Sequence, residues 1–187
     1  TISTEKSLQL IKEAKKKGLH VTCSVSAHHL ILSDDELHGF DSNFKTNPPL
    51  RTNQDCKALQ KGVKSGVIDI ITSDHNPIDI EHKKVEFSEA KDGTIGLESL
   101  FGALNSVLNL SDFIENITSK PREVFGIKPT SIAVGEMADI SFFNPEEKNV
   151  FTKDAILSTS KNSAFLNKNL TGKVYGIFSN NQLILNK

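Results

Sequence analysis

The strongest constraint on the fold is a short, mostly β-branched run at residues 67–71. Bounded by polar residues and followed by a proline, such a run predicts a short strand that is buried on both faces. Its C-terminal end leads directly into Ser73, Asp74 and His75. In a parallel barrel or an open sheet, binding and catalytic sites form at this end of the strands. We therefore interpret Asp74 as a candidate to bind a metal or move a proton, with hydrogen bonding of Asp74 and His75 inside the turn as the alternative.

The segments before this strand alternate between predicted helices and strands. Helices are expected to begin at Ser3 or Thr4 and at Thr52 or Asn53 and to stop at Gly18 and Gly66, because polar side-chain caps and glycines mark helix ends. A strand is expected over residues 20–25. Strands that alternate with helices predict a parallel α/β fold, in which the helices lie outside and the loops meet at one edge of the sheet. The elements are too few for a complete barrel.

After the strand, residues 78–92 lack periodicity and are expected to form a long loop at the edge where the strands end. Apolar spacing then predicts helices over residues 97–107 and from Ser111 onward. The pair Asn180-Asn181 predicts a hairpin turn, because asparagine tolerates positive φ. From residue 133 we expect a small β module with short strands at residues 138–143, 150–151, 156–157, 174–178 and 183–185.

The composition of the chain indicates which kinds of binding partner and which cellular compartment to expect. The chain has 22 basic and 23 acidic residues and a formal net charge of -1, which gives no field that would attract nucleic acid or an anionic membrane. Cys23 and Cys56 lack metal-type spacing, so a reduced, cytoplasmic protein is expected. No long apolar run or signal-peptide pattern supports a membrane span or secretion. The chain begins with Thr1 at a predicted strand-to-helix junction, and we expect it to be part of a longer protein.

Five polar residues at predicted strand ends are candidates for a functional site: His28, His29, Asn47, Asp74 and His75. Histidine and aspartate side chains that converge at one edge would suit a divalent metal such as zinc, with Asp74 also acting as a general base. The alternative is that the doubled histidine only makes hydrogen bonds within its own loop. The residues alone leave both interpretations open.

Seven ordered motifs resemble those of the dihydroorotases of the long-chain type, in the amidohydrolase superfamily. They are TISTEKS at residues 1–7, SAHHL at 26–30, KTNPPLR at 45–51, DIITSDHNP at 69–77, GTIGLE at 93–98, SIAVGEMADI at 131–140 and KNSAF at 161–165. The resemblance covers nearly the whole chain and slightly under half of the family's length. It implies an α/β fold made of the C-terminal part of a metal-dependent hydrolase (β/α)8 barrel, residues 1–130, and a small β-sandwich module, residues 131–187.

The resemblance also implies a chemistry. The family interconverts carbamoyl aspartate and dihydroorotate in pyrimidine biosynthesis, with zinc as its expected metal. Asp74 matches the aspartate at the end of the last barrel strand, which binds metal and carries a proton from the attacking hydroxide to the leaving nitrogen. Asn47 matches the asparagine that contacts the substrate ring. The histidine pair of the family is not among its metal ligands, so His28 and His29 are expected to shape their loop.

Three positions depart from the family pattern. Thr1 replaces a metal-binding histidine, and a hydroxyl is a much poorer zinc ligand than an imidazole. Ile78 replaces a histidine that holds the substrate carboxylate, and an alkyl group cannot donate a hydrogen bond to it. Lys91-Asp92 replaces a Pro-Phe pair beside the substrate, where an acidic side chain would repel an anion.

Two hypotheses follow from this mixture of matches and losses. In the first, the full protein is a working zinc dihydroorotase in which other residues substitute for the lost ones, and this chain alone is inactive. In the second, it is a non-catalytic dihydroorotase-like scaffold for aspartate transcarbamoylase, as known for some members of the family. The losses at Thr1 and Ile78 favour the second hypothesis, and both remain open. Under either, a homo-oligomer is expected.

Overall fold

The computed structural model describes residues 1–129 and 131–186. Helices and two short strands alternate in the first part of the chain, in the order α1 (Glu5–Lys16), β1 (Ser24–Ser26), α2 (Ala27–Ile31), α3 (Asn53–Lys64), β2 (Ile70–Thr72), α4 (Leu100–Asn105), α5 (Leu110–Ile117) and α6 (Ser119–Val124). Three strands follow: β3 (Ile140–Val150), β4 (Asn169–Ser179) and β5 (Gln182–Leu185). Short 3-10 helices lie at Asp34–Gly39, Ser42–Phe44, Ile80–His82 and Lys153–Ala155.

The two long helices of the first part begin and end at the residues that the sequence predicts. The side chains of Thr4 and Thr52 each accept a hydrogen bond from a backbone amide in the first turn of their helices. Gly18 and Gly66, which follow the helices, have φ values of 76° and 71°. This left-handed conformation is the one that glycine adopts without a steric penalty. The helix predictions for these two segments are confirmed.

Strands β1 and β2 pair in parallel, so both end at the same edge of the sheet. We call this the C-terminal edge. Both strands are shorter than predicted, and just before they begin the Asp69 carboxylate accepts the backbone N–H of Cys23 at 2.8 Å. The prediction that the second of these strands, β2, is buried on both faces is correct for one face only. Ile71 is buried, whereas Ile70 and Thr72 on the opposite face are half-buried.

Two apolar cores hold the described residues together. The first packs helices around β1 and β2 and contains Leu8, Val25, Leu30, Leu59, Val63, Ile68, Ile71, Leu104 and Phe113. The second joins the first part of the chain to the segment after β3 and contains Leu32, Leu50, Ile95, Ala103, Phe151, Ile156, Ala164, Phe165 and Leu170. Because one core takes residues from both parts, packing couples the C-terminal segments to the C-terminal edge. None of the helices in the described ranges is long and apolar enough to cross a membrane.

The last part of the chain forms one antiparallel sheet in the order β3-β4-β5. Asn180 and Asn181 connect the last two strands with φ values of 51° and 59°, which confirms the predicted hairpin turn. The strand predicted at residues 156–157 is wrong. Ile156 instead follows a 3-10 turn and lies buried in the second core, so its apolar character serves packing. Within the described residues this part of the chain contains a single sheet, and the expected β-sandwich stays a prediction.

Candidate functional site at the C-terminal edge

Asp74 lies two residues beyond β2, at the C-terminal edge. Its φ of 46° is left-handed, a conformation that aspartate tolerates better than most residues do. The Asn76 amide Nδ2 donates to Asp74 Oδ1 at 3.1 Å and to the Asp74 carbonyl at 3.0 Å. The Asp74 side chain is 35% exposed. The turn therefore holds one carboxylate oxygen and leaves the side chain accessible from the edge.

His28 faces Asp74 from the first turn of α2. Its Nε2 lies 3.7 Å from Asp74 Oδ2, and its side chain is only 1% exposed. Among the described residues, Nε2 has no hydrogen-bond partner. Burial, with a smaller contribution from His29, lowers the pKa of His28 to about 3, so the ring is neutral near pH 7. Contrary to expectation, Nε2 of His28 is directed at Asp74 and makes no hydrogen bond to its own loop.

His29 makes hydrogen bonds through both of its ring nitrogens. Its Nε2 lies 3.1 Å from the Pro48 carbonyl and 3.2 Å from the Pro49 carbonyl. Because carbonyls only accept, Nε2 carries the proton, and Nδ1 then accepts from the Ser26 hydroxyl. Burial lowers the pKa of His29 in spite of these two carbonyl contacts. The ring therefore ties the end of β1 to the separate loop of residues 45–49.

Asn47 lies in this anchored loop, and its side chain is exposed. The loop is fixed on both sides of Asn47. Thr46 Oγ1 donates to the Pro48 carbonyl at 2.9 Å, and the Lys45 carbonyl accepts from the Gly93 amide at 2.8 Å. His29 joins the loop to the end of β1, and Asp74 follows the neighbouring strand β2. Asn47 and Asp74 thus belong to segments that are joined at the C-terminal edge.

His75, ranked with the metal candidates from sequence, points into a different cluster. Its Nδ1 accepts from the backbone amides of Gly96 at 3.3 Å and Leu97 at 3.2 Å, which leaves Nε2 as the protonated nitrogen. Nε2 lies 3.3 Å from the Ser158 hydroxyl, which donates to Glu98. Burial would raise the pKa of Glu98, but hydrogen bonds from the Ser158 hydroxyl and amide outweigh it and lower that pKa. His75 therefore serves packing between chain segments.

Asn162 has a role that the sequence did not indicate. Its side chain is buried and accepts the Ile78 amide at 3.2 Å through Oδ1. Its Nδ2 donates to the carbonyls of Asn76 at 3.0 Å and Gly93 at 3.2 Å. One amide group thus clamps the turn after Asp74 to the segment that begins at Gly93. The motif at residues 161–165 was recognisable, but periodicity carries no signal for this contact.

The three departures from the family pattern can now be located. The Thr1 hydroxyl lies 3.1 Å from the Ser24 hydroxyl at the start of β1. Ile78 is half-buried, and its amide is held by Asn162. The Lys91 carbonyl accepts from the buried ammonium of Lys83 at 2.9 Å, and Asp92 beside it is exposed. None of these groups supplies the imidazole that the family pattern has at the first two positions.

The described residues do not fit a complete zinc site. No group of three or more histidine, cysteine, aspartate or glutamate side chains in residues 1–129 and 131–186 is arranged to hold a metal ion. Asp74 and His28 together offer two donors, whereas zinc sites in proteins use three or four protein ligands. A metal site that includes Asp74 would need ligands from outside the described residues.

Sequence comparison connects the chain to enzymes of known activity. A model described as the amidohydrolase family matches residues 2–182. The dihydroorotases of Trichlorobacter lovleyi and Bacillus subtilis are each 40% identical to the chain, over 176 and 177 residues respectively. Each alignment covers 91% of this chain and 41% of the relative. That of Caldicellulosiruptor saccharolyticus is 38% identical over 98% of the chain and 44% of the relative. The chain thus spans about two fifths of the length of these curated relatives.

Structural comparison agrees with the sequence match. A D-hydantoinase superposes with a TM-score of 0.87 at 24% identity, over 100% of this chain and 44% of that protein. The L-hydantoinase of Arthrobacter aurescens gives 0.88 at 23% identity with the same coverage. At these identities the similarity concerns the fold alone. The expected resemblance to dihydroorotases is confirmed, and the chain belongs to the amidohydrolase family.

Proposed function

We propose that the full-length protein interconverts dihydroorotate and carbamoyl aspartate as a step of pyrimidine biosynthesis, and that this chain supplies the proton-carrying carboxylate. The observation that carries the proposal is Asp74, a partly exposed carboxylate just beyond a parallel strand. Identities of 38 to 40% to dihydroorotases along nearly the whole chain support it. The chain covers only part of those enzymes, so the activity is proposed for the full-length protein.

In this proposal Asp74 accepts a proton from the attacking water and delivers it to the ring nitrogen that leaves. Such a transfer requires a carboxylate within hydrogen-bond reach of both atoms. Asn76 holds Oδ1 at 3.1 Å and so limits how the carboxylate can turn, while the 35% of the side chain that is exposed leaves room for the transfer. Asn47, exposed on the loop that His29 anchors, would bind the substrate ring. Zinc is the metal that the family leads us to expect, with Asp74 as one of its ligands.

The domain division is also proposed. Residues 1–130 would form part of the barrel and residues 131–187 part of a β-sandwich, although residues 130 and 187 themselves lie outside the described ranges. Leu183, Ile184 and Leu185 on β5 are each more than half exposed, which supports further cover for this sheet in the full-length protein. We also propose that the full-length protein is a cytoplasmic homo-oligomer that acts on these small-molecule substrates.

A second candidate function is the non-catalytic scaffold for aspartate transcarbamoylase. The contact between the hydroxyls of Thr1 and Ser24 favours it, because the side chain at the expected ligand position is already engaged by a neighbour. Ile78 favours it as well, since it offers no group to bind a substrate carboxylate. The scaffold would keep the fold and the pathway and would lose turnover.

One experiment separates the two candidates. Zinc is measured by elemental analysis in the purified full-length protein, and dihydroorotate hydrolysis is assayed with and without aspartate transcarbamoylase. Bound zinc and turnover that falls about 100-fold or more in Asp74→Asn support the enzyme, as expected for loss of a general base. A protein without zinc or turnover that co-elutes with the transferase supports the scaffold and contradicts the enzyme.

A further inference from the structure

The imidazole of His28 is a buried polar group that has no role in the proposed reaction. Its Nε2 has no hydrogen-bond partner among the described residues. Leaving a buried polar group unpaired costs about 1–3 kcal/mol. A group kept at that cost next to a candidate catalytic carboxylate calls for a functional explanation.

The group that His28 faces is the second oxygen of Asp74. The separation of 3.7 Å between Nε2 and Oδ2 is roughly 0.5 Å longer than an N–H···O hydrogen bond. The first oxygen, Oδ1, already accepts from Asn76 Nδ2. A small rotation of the carboxylate therefore brings Oδ2 within reach of Nε2 while Oδ1 stays close to Asn76.

His28 is the rigid member of this pair. It lies in the turn of helix that follows β1 directly, and the pairing of Ser26 with Thr72 sets the spacing between the two strand ends. Its ring packs against the ring of His29 with centroids 4.4 Å apart. His29 is itself held by the carbonyls of two prolines. Because His28 is enclosed and Asp74 is partly exposed, the histidine can orient the carboxylate.

We propose that His28 is a positioning residue for Asp74, whose Nε2–H holds Oδ2 in the orientation that proton transfer requires. This inference rests on the proposed function, in which Asp74 carries the proton. With Asn76 on one oxygen and His28 on the other, the carboxylate has a single favoured orientation. Partners of this kind behind a metal ligand or proton carrier typically contribute 10- to 100-fold to activity or metal affinity.

The kinetic test uses two variants of the full-length protein. His28→Phe keeps a ring of similar size without a donor, and we expect kcat to fall about 10- to 100-fold with KM changed by less than about threefold. His28→Gln keeps an N–H donor at similar reach and should recover most of the lost kcat. If His28→Phe has the wild-type kcat, or if Gln and Phe variants are equally impaired, the positioning role is wrong.

A second test needs neither turnover nor metal. In the full-length protein with 15N-labelled histidine, NMR should show that His28 carries its proton on Nε2 and that this resonance shifts in Asp74→Asn. The inference is overturned if Nε2 carries no proton, or if the chemical shift of its resonance is the same in Asp74→Asn as in the wild type. A positive NMR result in a protein without turnover would refute the proposed function and leave the positioning contact intact, so the two failures are distinguishable.

Discussion

At the scale of single residues, Asp74 combines a turn contact with an accessible carboxylate. From sequence, turn hydrogen bonding and chemistry were alternatives. The structure assigns the turn contact to Oδ1 and directs Oδ2 toward His28. Neighbouring residues in the sequence have separate tasks, because His75 faces Ser158 while Asp74 faces the edge. The sequence therefore identified the Asp74 carboxylate as a candidate. Only the directions of the side chains in the structure show that His28 is the residue that faces it.

Asn162→Ala should loosen the turn that follows Asp74. The substitution removes three hydrogen bonds to backbone groups of Ile78, Asn76 and Gly93. We expect the free energy of unfolding to fall by about 1–3 kcal/mol, because buried backbone groups lose their partner. Urea unfolding of the full-length protein measures this, with Asn169→Ala, which removes an exposed side chain on β4, as the control. Equal stability of the two variants would contradict the prediction.

At the scale of elements, the C-terminal edge depends on a close approach between two segments. His75 forms a parallel bridge with Thr94, and the Asn76 amide donates to the Thr94 carbonyl at 2.9 Å. A Cβ added to Gly96 would lie 2.3 Å from the Ser73 carbonyl oxygen. Only glycine lets the two segments approach this closely, so the geometry after β2 depends on a residue more than 20 positions away.

Gly96→Ala is expected to push these segments apart. The clash is with backbone, which cannot rotate away as a side chain can, and we expect a loss of about 1–3 kcal/mol in the free energy of unfolding. Gly39→Ala is the matched control, because a Cβ there meets nothing within 4 Å. Chemical unfolding of both variants in the full-length protein checks the difference. A Gly96→Ala variant as stable as the Gly39→Ala variant would show that the approach can relax.

The loop of residues 78–92 is ordered by a buried lysine. The ammonium of Lys83 donates to the carbonyls of Ser42 at 2.6 Å and Lys91 at 2.9 Å. Burial lowers the pKa of Lys83, while the nearby carboxylates of Asp92 and Asp41 act in the opposite direction. The charge patterning of this loop gave no indication that one of its lysines points inward.

Lys83→Met should release this loop from the turn that contains Ser42. The methionine keeps the apolar stem but cannot donate to the two carbonyls. We expect limited proteolysis to cut the loop several times faster in this variant. Lys84→Met removes an exposed lysine one position along the chain and should behave like the wild type. Equal cleavage rates in the two variants would rule out the anchoring role.

At the scale of the whole molecule, one shared core decides how the two parts of the chain are coupled. Ile95 and Ala103 pack with Phe151, Phe165 and Leu170. A Cβ on Gly102 would lie 3.1 Å from Leu170 Cβ, so α4 and β4 are in close contact. Asn162, which lies shortly before the core residue Phe165, donates a hydrogen bond to the Asn76 carbonyl in the turn after Asp74. A segment that follows β3 therefore contacts the turn after Asp74 through the Asn162 side chain.

Stability should fall on mild acidification because of the buried histidines. Between about pH 6.5 and 3 the unfolded chain binds a proton at His28 that the folded chain does not, so the free energy of unfolding decreases as the pH falls. One such proton changes it by at most about 1.4 kcal/mol per pH unit. Urea midpoints between pH 7 and 5 should fall less steeply in His28→Gln than in the wild type. His20→Gln, which removes an exposed imidazole, is the control, and identical slopes in His28→Gln and the wild type would contradict the prediction.

Local chemistry allowed the sequence by itself to determine much of this protein. Threonine caps, glycine stops and the Asn180-Asn181 turn act within a few residues, so the helix ends and the hairpin were predictable. The same reasoning located Asp74 at the end of a parallel strand. The ordered motifs were enough to identify the family to which the chain belongs.

Contacts between distant segments were decided only by the tertiary structure. The Asp69 side chain accepts a hydrogen bond from the backbone of Cys23, and His28 rather than His75 faces Asp74. Asn162 clamps a turn 84 positions earlier in the chain. The physical reason is that these contacts depend on which way a side chain points once the backbone is packed. Neither periodicity nor residue type records that direction.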